Sequence, residues 1–250
     1  MGVAVGAASA TRVLVDSPHA RAWRRDRRFF TGMALLAALA VFVGFAPTYY
    51  LKATFATPAL RPLFHLHGAL FTSWIVLFLV QTALVAARRV DIHRRLGVAG
   101  GVLAATMIAV GLTAAIDGLR RGLTIPGGPP PPTFFAIPFF DMVAFPSLVG
   151  AGLYFRRRSE THKRLMLLAT FALLPAAFAR IPPIGSLGPP GFFGAVDLLV
   201  IAGWAYDRVT RGRIHPAFLW GGLFLIASQV LRLMIGATPA WLAFAAWLMR

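Results

Sequence analysis

Apolar stretches long enough to cross a bilayer alternate along this chain with short basic turns. Seven of them read as membrane-crossing helices, at residues 29–51, 64–87, 96–116, 134–155, 165–181, 191–206 and 218–236. Most approach or exceed the ~20 residues that carry a helix across ~30 Å of hydrocarbon. The sixth is short. A last stretch, 240–249, is too short to span, and its Trp241 and Trp247 predict a helix lying in the membrane interface. Period-two alternation is weak and Ala and Gly are abundant, which predicts helices rather than a membrane barrel. Pro47, Pro138, Pro146 and Pro175 fall inside the stretches and predict kinks. The expected fold is therefore all-α, a polytopic membrane bundle of seven transmembrane helices plus a short C-terminal interfacial helix. One domain, 29–250, follows a basic cytoplasmic tail, 1–28.

Composition agrees with this pattern. The chain is 58% hydrophobic and only 13% charged, more apolar than a soluble core of 250 residues requires. Its net charge of +17 would fit a nucleic-acid binder, but the arginines sit in short loops between apolar runs. There they set membrane orientation and meet anionic lipid headgroups, so nucleic acid is not the expected partner. Of the 25 Lys and Arg residues, 18 lie in the tail and the loops on its side, and seven on the other side. That bias predicts N-in, C-out. The near-exclusive use of arginine hints at a GC-rich genome, and the expected location is a bacterial inner membrane. With no cysteine, disulfides, thiolate metal sites and cysteine nucleophiles are excluded. Two outer loops, one with GGPPPP and one reading PPIGSLGPPG, are either connectors or stiff caps.

Three inner segments share a pattern: RRVDIHRRLG (88–97), RRRSETHKRLM (156–166) and RVTRGRIHPAF (208–218). Each closes one hairpin and opens the next helix, and each carries a histidine: His93, His162 and His215. The pattern fits either an internal repeat or the ordinary basic charge of inward loops. Imidazole near neutrality can hold metal or haem, carry protons, or simply sit among headgroups. Asp91 and Glu160 lie two positions before His93 and His162, where an acid can cap the helix and orient the ring. The basic residues that follow could meet haem propionates or phosphates.

The His65-x-His67-Gly68 helix head, Gln81 near the inner end of that helix, and the following HRRLG together resemble uncharacterised bacterial multi-spanning membrane families. More loosely, they resemble the ascorbate-reducible membrane cytochromes b. In that group, histidines on alternate helices of a bundle hold haem. The resemblance implies His93 and His162, heading the third and fifth helices, as one ligand pair. The fourth stretch, 134–155, has no histidine, so the resemblance implies one haem b at most.

A second group is outer: His65, His67, Asp141, Arg180, Asp197, Gln229 and Arg232. Ionisable groups embedded in lipid usually face a bundle interior, paired or lining a wet cavity. Asp141 and Asp197 are expected to pair with Arg180 and Arg232. His65 and His67 lie ~200° apart around a helix and cannot share one metal. His67, Trp74 and Gln81 recur every seven residues and form one stripe, expected to face neighbouring helices. No dedicated metal site is predicted, and HExxH, GxSxG and a phosphate-binding glycine loop are all absent. Three classes stay open: a b-type haem protein moving electrons, a transporter or binding protein for a small solute or protons using the outer pocket, and a structural or assembly subunit of a membrane complex.

Overall fold

The first helix, α1, runs Pro18–Phe45, opened by the Ser17 side chain accepting from the Ala20 amide. The computed structural model describes residues 17–125 and 128–250. The described part of the basic tail is thus the first turns of α1, continuous with the apolar stretch that follows. A π-helical turn, Ala46–Tyr50, absorbs Pro47 at the C-terminal end of α1. Then come α2 (Pro62–Ala86), α3 (Val90–Arg120), a single turn α4 (Pro131–Phe134), α5 (Ala136–Tyr154) and α6 (Ser159–Phe171). Two more single turns, α7 (Pro175–Phe178) and α8 (Pro182–Gly185), lead to α9 (Gly188–Arg211), α10 (Pro216–Gly236) and α11 (Pro239–Leu248). The described residues contain helices and turns and no strand.

Six helical segments are long and apolar enough to cross a membrane: α1 with its π turn, α2, α3, α4 with α5, α9 and α10. Large apolar side chains stand outward along them, among them Leu35, Val98, Val102, Leu198, Trp220 and Met234. That is the pattern of a surface facing lipid rather than water.

The fifth predicted span differs. Residues 165–181 do not form one helix, because α6 stops at Phe171 and α7 restarts at Pro175. Pro175 lacks an N–H and its ring collides with the preceding turn, so the expected kink becomes a break. The broken segment is also the most enclosed part of the bundle. Leu167, Leu168, Ala169, Phe171, Ala172, Leu174 and Ala177 are all essentially inaccessible, and α5, α10, α1 and α9 pack around α6. Its apolar character reflects burial on every side. Pro146 lies inside α5, which continues through it. Pro138 sits in the first turn of α5, where the missing N–H would have had no helical partner.

Close helix crossings position the rest. A Cβ at Gly44 would lie 2.3 Å from the Ala177 carbonyl oxygen, so α1 meets α7 backbone to backbone. The sixth helix runs on past its apolar pattern to Arg211, and Asp207 within that extension is buried in the bundle. Gly212, with φ of 72°, ends it in a left-handed turn that a side chain would resist. The C-terminal helix α11 is present, but its two tryptophans diverge. Trp241 is buried against Phe135 and donates from Nε1 to the Pro132 carbonyl at 2.9 Å, while Trp247 is exposed.

Candidate functional site

A three-residue turn, Ala87–Arg89, joins α2 to α3. Arg88 adopts φ of 61° there, and its guanidinium lies 4.9 Å above the Trp23 ring of α1. This turn places His93 in the first turn of α3, half-buried and facing His162 in the first turn of α6. The two imidazole ring centres are 6.1 Å apart, with ring planes at 82°. The sequence pairing of these two histidines thus corresponds to a contact in the structure.

The groups around the rings are not those expected. Nδ1 of His162 lies 2.8 Å from the Gly152 carbonyl oxygen of α5. A Cβ at Gly152 would come within 2.8 Å of Met166 Sδ, so a bare glycine allows α5 to approach α6 this closely. The Gln81 carbonyl lies toward His93, yet Nδ1 of His93 completes no hydrogen bond, and neither does the buried Oε1 of Gln81. A Cβ at Gly97, one turn after His93, would lie 3.7 Å from the Gln81 side-chain nitrogen. Asp91 is exposed and lies near Arg89, and Glu160 is taken up by cations. Neither acid caps its helix or supports its histidine. The Gly152 carbonyl holds that place for His162, and His93 has no completed bond there. His215 has another role: its Nδ1 accepts from the Ala217 amide and caps α10, and its own amide donates to Asp207.

Beside His162, on a different face of α6, lies a charge network that sequence reasoning missed. Arg164 and Asp207 are both fully buried. Arg164 Nε and Nη2 meet the two Asp207 oxygens at 2.9 and 2.5 Å, a bidentate pair. Arg164 Nη1 also donates to Glu160, at its carbonyl and its carboxylate, both at 2.8 Å. Lys163 bridges Asp26 and Glu160 at 2.5 Å each. Arg211 reaches Asp26 at 2.9 Å and Glu160 at 2.8 Å, and the Tyr206 hydroxyl donates to Asp26. Three acids thus face three cations across α1, α6 and α9. Lys163 and Arg164, expected to be available for propionates or phosphates, are committed here. Burial alone would raise the Glu160 carboxyl. Hydrogen bonds from Lys163 and Arg164, with their charges, outweigh that and hold it at about 2.

The outer residues divide into separate groups. Asp141 and Arg232 form a buried ion pair. Arg232 also donates to the Ser228 carbonyl and hydroxyl at 3.0 Å each, and stacks over Phe193. Asp197 and Arg180 do not join this pair. Gln229 stands beside Asp197, with Oδ1 of Asp197 and Nε2 of Gln229 each short of a completed hydrogen bond. Arg180 donates to the Ala176 carbonyl and lies 4.4 Å over the Phe45 ring. Its charge reaches His67, which stacks on Phe71 at 4.0 Å and leaves Nδ1 unpartnered. His65 points away, exposed, 6.1 Å from the Tyr49 ring. In the stripe of His67, Trp74 and Gln81, Trp74 is buried against Phe145 and reaches Thr170 of α6. Among the described residues, no group of three or more His, Asp or Glu side chains converges as a metal site would require.

Two outcomes follow from the charge network. Asp207→Asn leaves the Arg164 cation buried with its main carboxylate removed, and should cost about 3–5 kcal/mol. The double variant Arg164→Met/Asp207→Leu removes both charges and should cost far less than the single variants summed. Thermal unfolding in detergent measures this, and additive losses would show that the two charges are not coupled. Glu160 gives a pH dependence. A carboxyl held below its ordinary 4.5 contributes stability that is full above that pH and is lost as pH falls through about 2. The melting temperature should drop over that window, and less steeply in Glu160→Gln. Parallel profiles for the two proteins would remove Glu160 from the network's stabilising role. Comparison with protein-family models, with curated proteins and with solved structures finds no match to this chain.

Proposed function

We propose that this chain is a bacterial inner-membrane electron-transfer protein that binds one haem b between His93 and His162. The observation that carries the reading is the 6.1 Å separation of the two rings. Two imidazoles on opposite faces of one metal have nitrogens ~4 Å apart and ring centres ~6 Å apart. Two protein ligands fall short of a zinc site, which takes three or four, but suffice for haem, whose porphyrin supplies the other four. The surroundings fit as well. The Gly152 carbonyl accepts from Nδ1–H of His162, fixing the tautomer that leaves Nε2 free to bind. The orphaned Nδ1 of His93 is a buried polar atom in want of a partner. When bound, haem supplies a reversible one-electron couple. The chain's part is to orient the two rings and to tune that of His162 through the Gly152 carbonyl.

The bundle sits in the membrane with its N-terminus and basic turns in the cytoplasm. The loop-charge bias supports this orientation. The fully buried core of α6 and α7 supports counting this segment as a seventh crossing at the centre of the bundle, with α11 along the outer interface. A second reading, a proton or small-solute pathway, draws on the unpartnered Asp197 Oδ1, Gln229 Nε2 and His67 Nδ1 in the outer half.

A visible spectrum of protein purified from haem-replete cells tests the first reading. It should show a Soret band and α bands. His93→Ala and His162→Ala should each abolish them while helical circular dichroism persists, and His215→Ala should keep them. A colourless wild-type protein, or bands that survive in both variants, overturns the haem reading and leaves the outer pathway in front. Orientation has its own check. A reporter active only outside the cytoplasm should work after Gly236 and fail after Arg89, Arg158 or Arg211, and the reverse pattern inverts the topology.

A further inference from the structure

The first turns of α1 have two opposed faces. Asp26 and Phe30 turn inward, to the charge network and the core. On the other side, Arg21, Arg24, Arg25 and Arg28 follow the spacing of one helical face and line an open cleft of about 320 Å³. Arg21, Arg25 and Arg28 are exposed. Elsewhere at this end of the bundle, Lys163, Arg164 and Arg211 are held by carboxylates, Arg27 and Arg88 lie over Trp23, and the exposed Arg94, Arg95, Arg156 and Arg157 stand on separate turns. The α1 face therefore concentrates positive charge.

The same face continues along the helix as an apolar stripe. Seven residues beyond Arg28 is Leu35, and seven further is Phe42. Leu39 follows Arg25 by two such steps. All three are about half exposed, at 57%, 49% and 57% for Leu35, Phe42 and Leu39. At 1.5 Å per residue, Leu35 stands ~10 Å and Phe42 ~20 Å along the axis from Arg28. A basic cleft that runs directly into a lipid-facing apolar stripe matches one molecule with a phosphate head and acyl chains.

We infer that this face of α1 binds an anionic phospholipid, its phosphate among Arg21, Arg25 and Arg28 and its chains along Leu35, Leu39 and Phe42. Guanidinium groups match phosphate oxygens in paired hydrogen bonds. Free phosphate or nucleic acid would use the arginines but leave the apolar stripe without a role. The inference rests on the membrane placement of α1 and is independent of the haem reading.

Thermal unfolding of the full chain in non-ionic detergent tests it, with circular dichroism confirming the helical fold before lipid is added. Phosphatidylglycerol should raise the melting temperature by several degrees. Phosphatidylcholine and inorganic phosphate should not. The variant Arg21→Gln/Arg25→Gln/Arg28→Gln should melt as the wild type does without lipid and lose most of the phosphatidylglycerol shift. Arg156→Gln/Arg157→Gln, two exposed arginines on another inner turn, should keep the shift. Four outcomes overturn the inference: no shift with phosphatidylglycerol, an equal shift with phosphatidylcholine, an equal shift with phosphate, or a full shift in the triple variant. A chain without helical signal in detergent would instead speak against the membrane fold itself.

Discussion

Taking an arginine and an aspartate entirely out of water is tolerable only if they meet each other well, and this constraint shapes one end of the molecule. Arg164 and Asp207 have no accessible surface, and their bidentate contact ties α6 to α9. Desolvating two charges costs several kcal/mol per ion, so the pair does not stabilise by its mere presence. It does penalise arrangements that separate the partners. Asp26, Glu160, Lys163 and Arg211 extend the same bond across three helices with balanced charge. Asp207 also receives the His215 amide, so the turn that starts α10 is attached to the same carboxylate. The first turn of α6 is held on one face by this network. On its neighbouring face it presents His162 to His93.

The other close contacts follow from small residues and prolines. Gly44 brings α1 onto α7, and Gly152 brings α5 onto α6. Where chains pack in a membrane without a hydrophobic drive between helices, such approaches and internal hydrogen bonds supply the cohesion. The break at Pro175 lies among these contacts. The carbonyls it frees sit beside tight turns, with Leu174 and Ala177 amides bonded back to Phe171 and Leu174.

Long-range pairing marks the boundary of what the sequence made legible. Apolar length located six long apolar helices, because lipid-facing and core-facing positions are both apolar there, but α1, α3 and α9 run past the expected ends into polar turns. The same blindness explains the fifth stretch. A segment enclosed by protein on all sides reads like one enclosed by lipid, and only Pro175 hinted at the break. His93 and His162 were legible as partners since each heads a helix after a turn on the same side. Their supporting groups were not, because Gly152 contributes a backbone carbonyl that leaves no mark in a side-chain motif. The charge network was hidden because Lys163 and Arg211 meet Asp26 from 137 and 185 positions away, and every basic loop reads first as an orientation signal. One signal was present: acids number only eight in the chain, and Asp26, Glu160 and Asp207 all stand among basic inner segments. The outer quartet was expected to pair among itself; Asp141 and Arg232 meet each other, while Asp197 stands beside an amide and Arg180 over an aromatic ring.

The distance between Arg164 and Asp207 along the chain, 43 residues, also sets an order of assembly. During synthesis at ~5–20 residues per second, Arg164 emerges some 2–9 s before its partner. Through that interval the short α6 carries an arginine whose bidentate partner is missing, and at 13 residues it is a poor independent insertion unit. Its settled place depends on α9 arriving with Asp207. The centre of this bundle is therefore completed late, from the outside inward, although it lies in the middle of the sequence.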